Sequence, residues 1–462
     1  MKFLKQNMEQ RRNLILNGPV STTILLLSVP TLMMGVIQSV IPVIDGLFLN
    51  NIVGTVAASA VTYSAPIVNM AAALAQGLSV AGMAIIGQSN GKGDFEAGRR
   101  ISTQMIVFSF LIGFLLVPVL IAFAFVASGH VTPEISKDVF IYLALSSTVL
   151  PFSFLESIYN AIKNASGKPE DTFTRMVIML VLKIIFNALF IAVFHWGTAG
   201  SVMASLASNV IITSWMYYEL FIKSSSDKLI LNGFKFDRQI IRDLLHIGFP
   251  SMLSSIMLNL GFLLINNEVE KYGAIVLNGQ GIANNITSVC FILPSSFGSS
   301  VTTMVSMNIG AGQGKKAKVS CLAGCVISAV TAIILIAIVV PLSSRITVLF
   351  TRSSDVLEIA NNALHIYTYS VVGFGICMVQ LGAFIGLGRT RITLFVSVLR
   401  VWLLRYVFIL VTEHFLGFYS VFWGNLFSNY AAALITTILI LRVNWVSSIP
   451  QEMKIRSLKG SN

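Results

Sequence analysis

Long apolar stretches separated by short polar loops fill the chain from about residue 22 to residue 442. Residues 101–133 contain no Asp, Glu, Lys or Arg, and neither do residues 272–314. Each run exceeds the roughly 20 apolar residues a helix needs to cross a bilayer. The pattern predicts twelve spanning helices, near 22–49, 58–87, 101–127, 139–163, 173–195, 198–222, 247–270, 274–308, 319–348, 356–386, 391–413 and 417–442.

Composition agrees with a life in lipid. Of 462 residues, 55% are hydrophobic and 11% charged, against about 25% charged in a soluble globular chain. A soluble enzyme and a disordered chain are both excluded. The net charge of +12 takes its meaning from position. The N-terminus, even-numbered loops and C-terminus hold 24 Lys and Arg, the odd loops hold 4 (Lys137, Lys271, Arg345 and Arg352), and three lie inside spans. That asymmetry obeys the positive-inside rule. It predicts cytoplasmic termini and a multi-pass protein of the inner (plasma) membrane, with no nucleic-acid partner. The segment 1–21 lacks a cleavable signal pattern and reads as a cytoplasmic lead-in. Cys290, Cys321, Cys325 and Cys377 sit in apolar runs and read as small buried hydrophobes, with no disulfide or metal cluster expected. His130, His195, His246, His365 and His414 are scattered and form no HExxH pattern. No Walker loop and no repeated selectivity-filter element appears, so an enzyme, an ATP-driven pump and a channel are each less well supported than a transporter.

An internal repeat explains why. Ser28-Val29-Pro30 matches Gly248-Phe249-Pro250, and Gly91-Lys92-Gly93-Asp94 matches Gly310-Ala311-Gly312-Gln313. Gly167-Lys168 matches Gly388-Arg389, Gly197 matches Gly417, and Leu206-Ala207-Ser208-Asn209 matches Leu426-Phe427-Ser428-Asn429. The offset stays near 220 throughout. Six spans per repeat is an even number, so the halves run parallel, a transporter design with the substrate path between repeats. The predicted fold class is an all-α membrane protein: twelve transmembrane helices in two parallel-repeat six-helix lobes. The expected lobes are 22–223 and 247–442, joined by a cytoplasmic amphipathic linker, 224–246, with Ile240, Ile241, Leu244 and Leu245 on one side, and followed by a tail, 443–462.

Charges inside spans are costly, by roughly 2.5–3.5 kcal/mol at the bilayer centre, and by default functional. Asp45 shares the first span with Pro30 and Pro42. Proline removes a backbone hydrogen bond and kinks a helix. A kinked helix with one carboxylate can change shape as that group gains or loses H+ or Na+; a static polar contact is the plainer alternative. Lys183 and Asn187 are four residues apart, on one face of the fifth span. By depth, Asp45 lies roughly 7 Å from the outer end of its span, Asn187 roughly 12 Å and Lys183 roughly 18 Å. Lys183 therefore reaches Asp45 only along its flexible stem, or else pairs elsewhere. Arg400 and Arg405, in the eleventh span, have no carboxylate inside the C-terminal half, Glu268 and Glu270 falling at the outer end of span seven. They suit an anionic substrate group or lipid phosphate, or packing alone. Glu156 reads equally as structural or functional. Gln38, Asn69, Gln76, Asn259, Gln280, Asn284, Asn285 and Gln380 are candidates for a substrate cavity or for interhelical hydrogen-bond glue. Met70 and Met257 are candidates for an adaptable cavity wall.

Pro30 with Asp45 and Gly46-Leu47-Phe48, the Gly91-Lys92-Gly93-Asp94 turn and its twin, and Phe194-His195-Trp196-Gly197-Thr198-Ala199-Gly200 together resemble the multidrug and toxic compound extrusion (MATE) family over about 20–450. The Pro–Asp spacing is most similar to the DinF-like branch; a rival branch carries glutamate where this chain has Leu258. The resemblance implies two six-helix lobes and secondary active export of amphipathic, usually cationic compounds, driven by Na+ or H+ with no other cofactor. It also implies a cation site at Asp45, Lys183, Asn187 and Ser205. The family commonly has Asn and Asp at the positions of Lys183 and Asn187, and often Thr at Ser205. An ammonium in place of a bound cation favours H+ over Na+. The sequence thus predicts a drug antiporter working by alternating access, monomeric, with a small-molecule substrate and membrane lipids as its partners. The alternative is a flippase or exporter of an anionic or lipid-linked substrate.

Overall fold

The computed structural model describes residues 6–131, 133–223, 228–231, 233–348, 350 and 353–447. Parts of the predicted N-terminal segment (1–5), linker (224–227 and 232) and tail (448–462) lie outside the described residues. Within them all regular structure is helical. A short helix, α1 (Met8–Asn17), precedes α2 (Val20–Phe48), α3 (Thr55–Lys92), α4 (Phe95–Ser128), α5 (Pro133–Ala165), α6 (Pro169–Asn187) and α7 (Gly197–Tyr217). The second half repeats the plan: α8 (Arg238–Glu270), α9 (Ala274–Gly310), α10 (Gly314–Thr347), α11 (Ser354–Gly386), α12 (Thr390–Val398), α13 (Phe408–Leu416) and α14 (Tyr419–Arg442). Four π-helical runs interrupt or extend these helices: Leu49–Val53, Ala188–Val193, Tyr218–Ile222 and Leu399–Val407. Twelve spans of the described residues are long and apolar enough to cross a membrane, α12, its π run and α13 forming one of them, Thr390–Leu416.

The predicted spans are found with shifted ends. The largest difference is at the linker. Asp237 caps α8, its Oδ1 accepting from the backbone N–H of Gln239 at 2.9 Å and of Ile240 at 3.4 Å. Such a cap satisfies otherwise orphaned donors, so helix begins at Arg238 and runs unbroken into the seventh span. The amphipathic segment 238–246 is thus the start of that span.

The repeat is written into the turns. Among the described residues, eight of the nine glycines at positive φ fall in pairs, Gly54 and Gly273, Gly93 and Gly312, Gly167 and Gly388, Gly197 and Gly417, with Gly233 before α8 standing outside the repeat. At Gly93 the backbone turns at φ 84° between α3 and α4, and at Gly312 at φ 76° between α9 and α10. L side chains rarely adopt this region, so glycine survives in both copies.

Contacts divide the chain into two compact units. One gathers Val36–Met252 with the described residues up to Arg12; the other gathers Asn13–Gly35 with the described residues from Leu253 onward. Contact-defined units therefore differ from the chain-order lobes, because their boundaries fall inside α2 and α8. In the first unit α5 packs against α3, α4 and α7. In the second, α11 takes the same central role against α9, α10 and α14. Small residues allow the approach: a Cβ at Gly382 of α11 would lie 2.2 Å from the carbonyl oxygen of Gly298 on α9. Close backbone packing of this kind is how helices associate without a hydrophobic driving force.

Candidate functional site

The first unit brings together four of the residues singled out in its spans. Asp45 stands near the end of α2, Lys183 and Asn187 one turn apart on α6, and Ser205 on α7. The Lys183 ammonium lies 3.0 Å from Oδ2 of Asp45. Asn187 donates from Nδ2 to Oδ1 of the same carboxylate at 2.7 Å. Lys183 also donates to the Ser205 hydroxyl, which in turn donates to the carbonyl of Ser201 at 3.1 Å. Lys183 and Asn187 are buried, while the Asp45 side chain keeps 21% of its exposure. The lysine stem thus spans the depth difference, and the carboxylate is the member nearest to solvent. The π run Ala188–Val193 begins directly after Asn187; such interruptions are frequent at functional sites.

Asn209, absent from the sequence-based site, completes the cluster. Its Nδ2 donates to the Ser205 carbonyl at 2.8 Å. The buried oxygens Asn187 Oδ1 and Asn209 Oδ1 have no hydrogen-bond partner among the described residues. The Lys183 side chain takes up one oxygen of the carboxylate that a bound cation would use. Two unit charges at 4 Å repel by about 4 kcal/mol at an effective dielectric constant of 20.

Pro30 lies within α2, and Thr31 beside it bonds to backbone carbonyls, at 2.9 Å for Ser28. Pro42 also lies in α2; its side chain falls outside the described residues. Glu156 is resolved into an ion pair, 2.8 Å from Arg175. Lys163 pairs with Asp171 and Glu219.

The second unit holds a different centre. Arg405 donates from Nε to Ser428 Oγ and from Nη2 to Asn425 Oδ1, both at 3.0 Å. Arg400 donates to Asn429 Oδ1 at 3.3 Å, and its buried Nε has no hydrogen-bond partner among the described residues. Asn429 also donates to Asn425 at 2.7 Å. Phe374 and Phe262 lie 5.1 and 5.7 Å from the two guanidinium carbons. Both arginines are buried, and neither forms an ion pair among the described residues. The π run Leu399–Val407 explains how both meet α14. Five residues apart on an α-helix, they would point about 140° apart; i→i+5 geometry stacks them on nearly one face.

The amides separate by environment. Gln38, Asn69, Gln76, Asn259, Asn284 and Asn285 are exposed on their spans. Gln280 and Gln380 are buried: Gln280 bonds to Tyr367, and Gln380 donates to Thr437 at 2.7 Å and accepts from Thr436. These two hold helices together. Met70 is exposed and Met257 half-buried, its carbonyl taking the Trp402 indole N–H at 2.8 Å. At the C-terminal end of α8, Glu268 pairs with Lys271 and accepts from Tyr406 at 3.3 Å. The hydrogen bond to Glu268 holds Lys271 above the ordinary lysine range. The side chain of Glu270 is outside those described.

Twelve spans in two repeats, carrying ionisable groups within them, define a polytopic membrane transporter. The MatE family model matches residues 30–189 and 250–411, two stretches whose starts lie 220 residues apart, and the chain belongs to that family. A Bacillus subtilis (strain 168) protein named "Probable multidrug resistance protein YoeA" is 23% identical over 401 residues, covering 84% of this chain and 86% of its own. The multidrug export protein MepA of Staphylococcus aureus (strain MSSA476) is 21% identical over 431 residues, covering 92% of this chain and 94% of its own. A solved outward-facing MATE family transporter of the MOP superfamily has the same fold, with a TM-score of 0.87 at 21% identity over 96% of this chain and 98% of its own.

Proposed function

We propose that this protein is a proton-coupled exporter of amphipathic, cationic organic compounds, an antiporter working by alternating access. Multidrug export in the named relatives supports the substrate class. The observation that carries the coupling is the single carboxylate of Asp45, shared by Lys183 and Asn187 on a proline-bearing helix. When Asp45 takes a proton, it ceases to balance the Lys183 ammonium. A buried charge left without its partner costs about 3–5 kcal/mol. That cost is relieved when α2 shifts at Pro30 and water reaches Lys183, which keeps its bond to Ser205, and it returns when the proton leaves. Exposed amides of the first unit such as Gln38 and Asn69 then face water, since amides facing lipid would stay unsatisfied. The protein lies in the plasma membrane with cytoplasmic termini, in line with the positive-inside count.

The test is efflux of a cationic dye from cells under separately imposed H+ and Na+ gradients. Wild type exports on a proton gradient, Asp45→Asn does not, and Na+ dependence emerges only in Lys183→Asn. Absence of export for every cation tried, under either gradient, would falsify this reading.

A second reading, export or flipping of an anionic or lipid-linked substrate, draws on Arg400 and Arg405, buried without an acidic partner among the described residues. Anion uptake into everted vesicles that disappears in Arg405→Gln, with dye export absent, would select it.

A further inference from the structure

The first unit contains an open groove where the segment before α8 meets the start of α4. It has a volume of about 890 Å³ and is lined by Arg100, Lys235, Phe236, Arg238, Ile241 and Arg242, among others. Four cations face it with one lining carboxylate, Asp237, which is paired to Arg100 at 2.8 Å. Asp243 is turned inward, buried and held by Gln239 at 3.2 Å.

The groove is built, not a loose loop. Gln104 of α4, buried, grips the incoming chain twice. Its Nε2 donates to the Lys235 carbonyl at 2.7 Å, and its Oε1 accepts from the Asp237 N–H at 3.3 Å. The Asp237 cap then fixes the first turn of α8. Phe236 is left half exposed, edge-on to Phe234 with ring centroids 4.9 Å apart.

The face α8 presents decides what binds. Ile240, Leu244, Ile247 and Ser251 are buried on one side. Opposite them, Arg238, Arg242, Leu245 and Phe249 are exposed. Their spacing of four, three and four residues places them on one stripe. Two guanidiniums stand at the water end of the span, and two large apolar side chains follow along the stripe. A soluble anion uses only the first part of that stripe; an amphiphile with an anionic head and a hydrocarbon tail uses all of it.

We propose that this groove binds an anionic phospholipid of the cytoplasmic leaflet. Arg238 and Arg242, with Lys235, hold the phosphate, and an acyl chain lies along Leu245 and Phe249. Basic clusters at the cytoplasmic ends of spans attract anionic headgroups by about 1 kcal/mol per Lys or Arg. The inference is independent of the transported substrate.

Its test uses the purified full-length protein, delipidated in neutral detergent. Phosphatidylglycerol, phosphatidylcholine and inorganic phosphate are titrated separately, with retained lipid counted by native mass spectrometry and Tm followed alongside. Phosphatidylglycerol is expected to bind and raise Tm. The double variant Arg238→Gln, Arg242→Gln should lose about 30-fold in its affinity, the product of two such contributions. Lys315→Gln with Lys318→Gln, which removes equal charge from the other unit, should leave it unchanged. If the arginine variant fails to fold, Lys235→Gln serves instead, with about a fivefold loss expected. The proposal is overturned if phosphatidylcholine binds as well, if inorganic phosphate matches the lipid at equal concentration, or if the lysine control loses as much as the arginine variant.

Discussion

At Asp45, one carboxylate answers to two donors, and the donors are unequal. Asn187 contributes a neutral hydrogen bond, whereas Lys183 brings a charge that must be balanced. Asp45→Asn strands a buried ammonium, with an expected loss of about 3–5 kcal/mol. Lys183→Met leaves behind a carboxylate that retains 21% exposure and can meet water, so its loss should be smaller. Thermal unfolding in detergent should rank the two in that order. The double variant should recover stability lost by Asp45→Asn while remaining unable to couple a proton gradient; recovery of coupled export would refute Asp45 as the coupling group. Much of this cluster was legible in the sequence because an ionisable residue in a span is rare and costly. Asn209, Asn425 and Asn429 were harder to see. The sequence signal for Asn209 and Asn429 lay in the repeat, where Ser208-Asn209 matches Ser428-Asn429, but an uncharged amide announces no site until its partner is placed. Gln280 and Gln380 show the converse, being polar residues that serve as glue.

Helices were legible from apolar run length, and π runs were not. A π turn accommodates one extra residue without changing the composition of a segment, so hydropathy cannot reveal it. Leu399–Val407 carries the clearest consequence. Deleting Val407, an exposed residue of the run, should return it to α geometry while leaving Arg400 and Arg405 five residues apart. Arg400 and Arg405 would then diverge, and one would lose its asparagine partner. The expected outcome is a fall in Tm worth about 1–3 kcal/mol, the cost of one unsatisfied buried donor. A variant as stable as wild type would show that the π register does not hold the pair. Packing between α9 and α11 supplies a second check. At Gly382 a methyl group meets backbone, which cannot give way, so Gly382→Ala should destabilise by about 1–3 kcal/mol. Gly281, with open space around it, should tolerate alanine at little cost. The amphipathic helical character of 238–246 was legible, but its continuity with the seventh span was not, because its basic first turns look like a separate surface helix until the unbroken α8 is seen.

For the molecule as a whole, the positive-inside count makes a prediction about sidedness. Cysteine introduced at Lys92 or Lys318 should react with a membrane-impermeant maleimide only from the cytoplasm, and at Lys137 or Arg345 only from outside. The native cysteines give little background, three being buried and Cys325 intermediate. Labelling of Lys92 and Lys137 positions from the same side would overturn the topology. Paired glycine turns show that both halves keep one backbone plan, yet their chemistry has parted. The first unit balances Lys183 with Asp45, while the second holds Arg400 and Arg405 among amides and aromatic rings.

That imbalance has an electrical meaning. An uncompensated charge inside a bilayer feels the membrane voltage, at about 2.3 kcal/mol per elementary charge for every 100 mV crossed in full. If the two guanidiniums move by a tenth of the roughly 30 Å hydrocarbon thickness during a transport cycle, the work is about 0.5 kcal/mol. That is a roughly twofold bias on a conformational equilibrium. Such a protein would pass a small transient current when the voltage is stepped, with no substrate present at all, and substituting the arginines with glutamine would silence it.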